Sequence, residues 1–405
     1  MYNKDVFICD AVRTPVGKYA GALSSVRPDD MAALVIKTIV ERNPKLDTSN
    51  IADVIMGCAN QAGEDNRDVA RMSLLIAGLP YNVPGETINR LCASGMSAVI
   101  NASRAIISGD GNLFIAGGVE SMSRAPFVMA KSETPFGRVP EVFDTTIGWR
   151  FPNQKLKSIY GTDSMGETAE NVAEKYNIDR ESQDLFAYNS QMKAAESRRA
   201  GRFDMEIISV EVPGKKGTSI IVDKDEFIRE NTTIEALSNL KPAFKKGGSV
   251  TAGNSSGVND GAAALLIADE LAVKQNSLKL LARIVSSAVV GVEPRIMGIG
   301  PVEASNKALK KAGLTFDDID IIELNEAFAA QSLACIRAWN LDDDDSRINP
   351  NGGAIALGHP LGMSGSRIIA SAAYELNLRK LRYALCTMCI GVGQGYAVVI
   401  ENINL

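Results

Sequence analysis

Cys92-Ala-Ser-Gly-Met-Ser97 returns later in the chain as His359-Pro-Leu-Gly-Met-Ser364, a shift of 267 residues (359 − 92). The same shift carries Asp53-Val-Ile55 onto Asp320-Ile-Ile322 and Ile88 onto Ile355, so the match extends beyond one hexapeptide. Self-similarity at a fixed offset marks a repeated structural unit. Around both copies, short β-branched runs such as Val6 to Cys9, Val54 to Met56, Leu113 to Ala116 and Ile319 to Leu324 alternate with longer helical stretches, an α/β pattern. Each hexapeptide opens a helix. Met96, Val99, Ile100, Ile106 and Ile107 fit one apolar face ending at Gly109, and Ile368, Ile369, Ala372, Ala373 and Leu376 do likewise in the second copy. The expectation is two similar α/β halves, residues 1–272 and 279–405, whose pseudo-twofold packing brings two helix starts together. A cysteine and a histidine then face one site. An inserted loop domain at about 122–251, richer in charge, Pro and Gly, interrupts the first half, with helical stretches at Glu167 to Tyr176 and Arg180 to Arg199.

At 405 residues and 45% hydrophobic content the chain can bury a sizeable core. Its 43 basic and 48 acidic side chains leave a net charge of −5, which offers no global attraction to nucleic acid or to an anionic membrane. An anionic ligand must meet a local basic patch. The insertion supplies candidates for a phosphate-bearing ligand in Arg198, Arg199, Arg202, Lys215, Lys216, Arg229, Lys245 and Lys246. The start of the chain carries Lys4, Asp5 and Asp10 and lacks the apolar stretch of a secretory signal, so a cytoplasmic location is expected. One uncharged run, Tyr383 to Ile400, approaches spanning length, but Gln394 with Gly391, Gly393 and Gly395 breaks it into strand, turn and strand. Six cysteines, at positions 9, 58, 92, 335, 386 and 389, are too sparse for a disulfide scaffold. Cys386 and Cys389 form a CxxC, yet there is no second one and only one histidine, so no metal site is expected.

The chemistry-bearing residues fall in four stretches. Cys92 stands directly before a helix, where unpaired backbone N–H groups and the helix dipole favour an anion; a stabilised thiolate is expected there, against the ordinary alternative of a small buried thiol. His359 is the sole histidine, set in a glycine-rich loop and placed opposite Cys92 by the repeat, so general base outweighs a purely structural role. Cys389 begins Cys-Ile-Gly-Val-Gly-Gln-Gly395; the glycine string runs into a strand rather than a helix, which excludes a dinucleotide fingerprint and suits an oxyanion hole built of backbone N–H groups. Asn325-Glu-Ala-Phe-Ala329 follows a strand and offers an amide that can hold a water in the same pocket.

Together these stretches resemble the thiolase family over essentially the whole chain. The motifs are NRLCASG around Cys92, TAGNSSGVNDGAA at Thr251 to Ala263, NEAFA at Asn325, GGAIALGHPLGMSGSR around His359 and CIGVGQG from Cys389, all in the family's order. The resemblance implies the five-layered αβαβα thiolase fold, coenzyme A as co-substrate with no permanently bound cofactor, and a homodimer or homotetramer. It gives Cys92 the acyl group, makes His359 the acceptor of the thiol proton, and has Cys389 protonate the departing acetyl-CoA carbanion. Developing oxyanions are met by backbone N–H groups at Cys92 and Gly391, and by His359 with a water on Asn325. Ser256 matches the position that contacts the pantetheine arm, and Arg229 one that lies against the adenine.

Within the family the stretches GALSSVRPDD, GCANQAGEDNRDVARM, FDTTIGWRF and RYALCTMCIGVGQG are most similar to the branch that cleaves 3-oxoadipyl-CoA to acetyl-CoA and succinyl-CoA in aromatic degradation. Ser164 stands where acetoacetyl-CoA thiolases generally carry a histidine, which is expected to open space near the acyl pocket, and Val392 replaces a common glycine. A dicarboxylic acyl chain wants a cation, because an unpaired buried charge is costly, and Arg150 in the GWRF stretch is the candidate. The rivals are a general 3-ketoacyl-CoA or acetyl-CoA acetyltransferase and, from another class, a non-catalytic acyl-CoA binder. Ketoacyl synthases need two histidines, which this chain lacks.

Overall fold

The computed structural model describes residues 4–132, 134–214 and 217–405. Its main sheet is ten-stranded; along its path, from one edge, run Ile321–Leu324, Tyr383–Ile390, Gln394–Glu401, Ala282–Gly291, Val6–Arg13, Asn259–Asp269, Leu113–Ser121, Asp53–Gly57 and Gly85–Ile88. In the middle, only Phe7 and Ile8 pair with Arg283 and Ala282. Outward from that seam both sides repeat one pattern. Val6–Arg13 pairs antiparallel with Asn259–Asp269, that strand antiparallel with Leu113–Ser121, and the next pair, to Asp53–Gly57, is parallel. Ala282–Gly291, Gln394–Glu401, Tyr383–Ile390 and Ile321–Leu324 follow the same sequence of directions. The hexapeptide repeat is therefore a repeat of sheet topology.

Successive strand residues face opposite sides, and this alternation sorts the core into layers. In Tyr383–Ile390, Ala384, Cys386, Met388 and Ile390 join one apolar cluster while Leu385 joins another. In Asn259–Asp269, Leu265 and Ile267 face the same inner cluster, and Ala262, Ala264, Leu266 and Ala268 face outward. The inner cluster is filled by two helices, Ser94–Ser108 and Leu361–Arg379, sandwiched between the half-sheets. One outer cluster is covered by Pro28–Arg42 and Val69–Ile76, the other by Gly300–Ala312 and Ala329–Ala338. Helix, sheet, helix pair, sheet and helix give the αβαβα order.

The two middle helices touch almost backbone to backbone. A Cβ added at Gly95 would lie 2.5 Å from Gly362 O, and one at Gly365 2.5 Å from Met96 N. The first helix ends at Gly109, whose φ of 91° is open to glycine at no steric cost. Ile107 departs from the expected apolar face: it is 53% exposed, because the final turn extends past the core that buries Ile106.

Between Met122 and Val250 lie helices Gln154–Tyr160, Met165–Lys175 and Arg180–Arg199, with two small hairpins. This segment is fastened by buried ion pairs. Arg13, fully buried, meets Glu206 at 2.8 Å and Asp225 at 2.7 Å. Arg202 meets Glu206 and Glu375 in the same interior. Arg202 therefore does not belong among the residues available to a phosphate; three acidic groups in the core claim the local positive charge first. Lys245 and Arg198 are paired at the surface with Glu174 and Glu230. Lys215 and Lys216 lie outside the described residues. No helix among the described residues is long and apolar enough to cross a membrane.

Candidate active site

Cys92 sits in a single turn, Leu91–Ala93, ahead of the Ser94–Ser108 helix. Leu91 is held at φ 47°, left-handed for a residue with a branched side chain. The turn is locked by Ser94, whose hydroxyl donates to Leu91 O (2.7 Å) and accepts from Arg90 N (2.8 Å). Cys92 as a residue is half-buried, and it lines a cavity of about 280 Å³ that also meets Gly391, Leu361, Met165, Trp149 and Arg150. Leu361 comes from the start of the second middle helix and Gly391 from the turn after Tyr383–Ile390, so both repeats contribute walls.

Burial pushes the Cys92 thiol up to about 11, and backbone N–H groups of Gly391 and of Cys92 itself pull the other way without prevailing. The stabilised resting thiolate expected from the helix start is thus not what the structure holds. Desolvation outweighs the N–H groups, and the sulfur keeps its proton at neutral pH. Cys389 is buried, and burial followed by proximity to Cys92 raises it well above the ordinary thiol range. Cys386 lies three residues earlier in the same strand and faces the inner core, while Cys389 packs with Met165, Ala327 and Phe328 on the other side. Opposite faces prevent the two sulfurs from chelating one ion.

His359 is buried, with its backbone N–H donating to Asn259 Oδ1 (2.9 Å). Its Nδ1 lies 2.6 Å from Ser364 Oγ, and Ser364 Oγ lies 2.8 Å from Pro360 O. A carbonyl can only accept, so the serine proton goes to Pro360 and Nδ1–H donates to Ser364. Nε2 is left as an acceptor, 3.4 Å from Asn325 Nδ2. Burial, then the charge of Arg367, lowers the imidazole to about 3, so it is neutral. Asn325 is anchored by its N–H to Thr387 O (3.0 Å), two residues before Cys389, and its buried Oδ1 has no protein partner among the described residues. The structure thus brings Cys92 together with Gly391 and Cys389, and His359 together with Asn325. Leu361, just past His359, borders the Cys92 cavity.

Two residues without an obvious local signal complete the site. Ser364 orients the imidazole; it is the repeat counterpart of Ser97, which could have drawn attention to it. Glu120, buried at the end of Leu113–Ser121, accepts from Ala59 N (2.9 Å), Asn60 N (3.0 Å) and Gly362 N (2.8 Å) and so ties the first half to the helix after His359. Burial pushes it up to about 7. Ser164 is not itself among the residues that line the cavity: its hydroxyl caps Met165–Lys175 in a capping box with Glu167, and Met165, next in the chain, faces the space. Val392 does line it, 43% exposed and at φ 62°. Ser256 lies beside the Asn325 loop, its N–H bound to Ala327 O (3.0 Å). Arg229 is exposed, its guanidinium 5.2 Å over the Phe227 ring, beside a shallow groove with Asn231 and Thr232.

The sequence matches two family profiles, "Thiolase, N-terminal domain" over residues 6–271 and "Thiolase, C-terminal domain" over residues 278–402. The beta-ketoadipyl-CoA thiolase of Acinetobacter baylyi is 57% identical over 400 residues, 99% of this chain and 100% of the relative. The 3-oxoadipyl-CoA/3-oxo-5,6-dehydrosuberyl-CoA thiolase of Escherichia coli is 58% identical with the same coverage. Among solved structures, human mitochondrial 3-ketoacyl-CoA thiolase superposes with a TM-score of 0.92 at 42% identity, covering 98% of this chain and 99% of that one.

Proposed function

Because the chain belongs to the thiolase family, acyltransferases that pass an acyl group between thiols, we propose that Cys92 is its nucleophile and 3-oxoadipyl-CoA its substrate. Coenzyme A is the second substrate. The relatives' names support the acyl chain, and a cavity lined by Cys92, Gly391 and Leu361, two residues past His359, supports the roles.

Cys92 Sγ attacks the C3 ketone while its proton passes to His359 Nε2, the ring nitrogen left free by Ser364. The negative charge that develops on the oxygen is met by preorganised N–H groups; losing one such donor typically costs about a hundredfold in rate. The C2–C3 bond then breaks, its electron pair remains on C2 of the acetyl-CoA fragment, and Cys389 protonates that carbon. Succinyl stays on Cys92. In the second half, Cys389 takes the proton of incoming CoA, the CoA sulfur attacks the acyl carbon, and Cys92 leaves and recovers its proton from His359. Both thiols and the imidazole begin and end the cycle neutral; between the halves His359 holds the proton and Cys389 the negative charge. The halves at 1–272 and 279–405 are taken as the two units that meet here, with Ser256 and Arg229 toward the pantetheine and adenine of CoA.

The observation that carries the reading is the position of Cys92 beneath the Gly391 N–H with Cys389 alongside. The test is to incubate the enzyme with 3-oxoadipyl-CoA without free CoA and weigh the Cys92 peptide. A succinyl adduct is expected. An enzyme that ignores the dicarboxylate but is acetylated by acetoacetyl-CoA is a general thiolase instead.

A further inference from the structure

The acyl chain assigned above ends in a carboxylate, and the cavity holds one cation to meet it. Its walls near Cys92 are apolar, with Leu91, Ile147, Trp149, Met165, Leu361 and Val392 suited to methylene groups. Among the described residues that line it, Arg150 alone is basic and Glu120 alone is acidic. No described acidic residue forms an ion pair with Arg150; its Nη2 donates to Asn60 O at 3.0 Å, and the rest of the guanidinium fork is uncommitted to any anion.

The hydrogen bonds around Arg150 form a continuous brace. Asn60 N donates to Glu120 Oε1 (3.0 Å), Asn60 Nδ2 donates to Thr145 O (3.1 Å), and Asn60 O receives Arg150. Thr145 is itself pinned through its hydroxyl to Pro126 O (2.6 Å). The loop 145–150 is thereby held from two points, and Asn60 stands between the buried carboxyl and the guanidinium. Glu120 is turned into the floor, where three backbone N–H groups occupy its oxygens. It is not placed to neutralise Arg150.

We infer that Arg150 is the residue that selects a carboxylate-terminated acyl chain, pairing its free N–H groups with the distal carboxylate of the substrate and of the succinyl group carried on Cys92. The inference rests on the dicarboxylic substrate proposed above. A half-buried guanidinium offered to a planar carboxylate makes a directional, charge-assisted contact that an aliphatic tail cannot use. Selection follows from a difference in affinity, since a neutral chain leaves the cation unpaired and gains nothing from it.

The test compares kcat/KM for 3-oxoadipyl-CoA with that for 3-oxohexanoyl-CoA, which replaces the carboxylate by a methyl group at equal chain length, in the full-length enzyme and in Arg150→Gln and Arg150→Lys. Arg150→Gln is expected to lower the value for 3-oxoadipyl-CoA about tenfold to a hundredfold, the range for a partly solvated charge contact. The value for 3-oxohexanoyl-CoA should hold within about threefold, which also shows that the variant is folded. Arg150→Lys, which keeps the charge and loses the fork, should fall between. Equal losses on both substrates overturn the assignment of Arg150 alone. A wild-type enzyme that cleaves 3-oxohexanoyl-CoA and not 3-oxoadipyl-CoA overturns the substrate reading as well.

Discussion

His359 Nδ1 lies 2.6 Å from the hydroxyl of Ser364, five residues further along the chain, and this contact decides which ring nitrogen is free to take a proton. Replacing Ser364 with alanine leaves a buried N–H without its acceptor, at a cost of about 1–3 kcal/mol for that tautomer. The ring is then released to place its proton on Nε2, the nitrogen needed as base. Ser364→Ala should lower kcat about tenfold or more with little change in KM, read by steady-state thiolysis. A fall confined to KM would remove the orienting role.

Cys92 keeps its proton because burial overrides two N–H donors, and His359 stays neutral because burial and Arg367 hold it near 3. Raised and lowered in opposite directions, neither group titrates between about pH 6 and 9, the interval between the ordinary histidine and cysteine values. Alkylation of the free enzyme by iodoacetamide should therefore climb about tenfold per pH unit through this window without a plateau, since only the rare thiolate reacts. A plateau reached by pH 8, or a break near the ordinary histidine value, would show a preformed thiolate–imidazolium pair.

In the proposed mechanism Cys389 protonates carbon in one half-reaction and deprotonates CoA in the other. Its removal should cost the first far more, because a thiol, with a pKa of about 8.5, can leave or attack as its thiolate without a protein acid. In Cys389→Ala the Cys92 peptide should still become acetylated by acetyl-CoA, whereas cleavage of the 3-oxoacyl carbon–carbon bond should fall by more than about a hundredfold, the usual range for losing a general acid. Equal loss of both reactions, with a lowered melting temperature, would assign Cys389 a structural part.

The two middle helices meet at glycines, and the consequence for stability is direct. A methyl group at Gly95 would stand 2.5 Å from Gly362 O and 2.8 Å from Ser366 Oγ. Gly95→Ala should lower stability by about 1–3 kcal/mol or more through overpacking and reduce activity as well, because Gly362 follows His359 by only three residues. Thermal unfolding with parallel activity measurement checks both.

Val392, a β-branched residue at φ 62°, bears strain in the turn that presents Gly391. Val392→Gly should relieve about 1 kcal/mol or more, offset in part by the added freedom of glycine in the unfolded chain. The melting temperature should stay level or rise. A clear fall would mean that the valine side chain contributes packing that outweighs its backbone cost.

Much of this was readable without coordinates. The repeat of Cys92 and His359 motifs foretold that two helix starts meet, and strand runs such as Tyr383 to Ile400 showed their interior glycine turn. Helix Arg180–Arg199 has the expected bounds, with acid in its first turn and base in its last, as the helix dipole favours. Other features had no local signature. Ile107 fits the apolar period yet is exposed, and Arg202 resembles its surface neighbours yet is buried among acids.

Periodicity, turn residues and motif spacing act within a few residues of one another, so the chain alone determined its α/β class, its two halves and the thiol and imidazole groups at its centre. Desolvation, by contrast, is set by every element packed around an atom. Only the assembled layers decided that Cys92 rests protonated, that His359 offers Nε2, that Glu120 braces the floor, and that of the many cations available Arg150 is the one standing in the cavity.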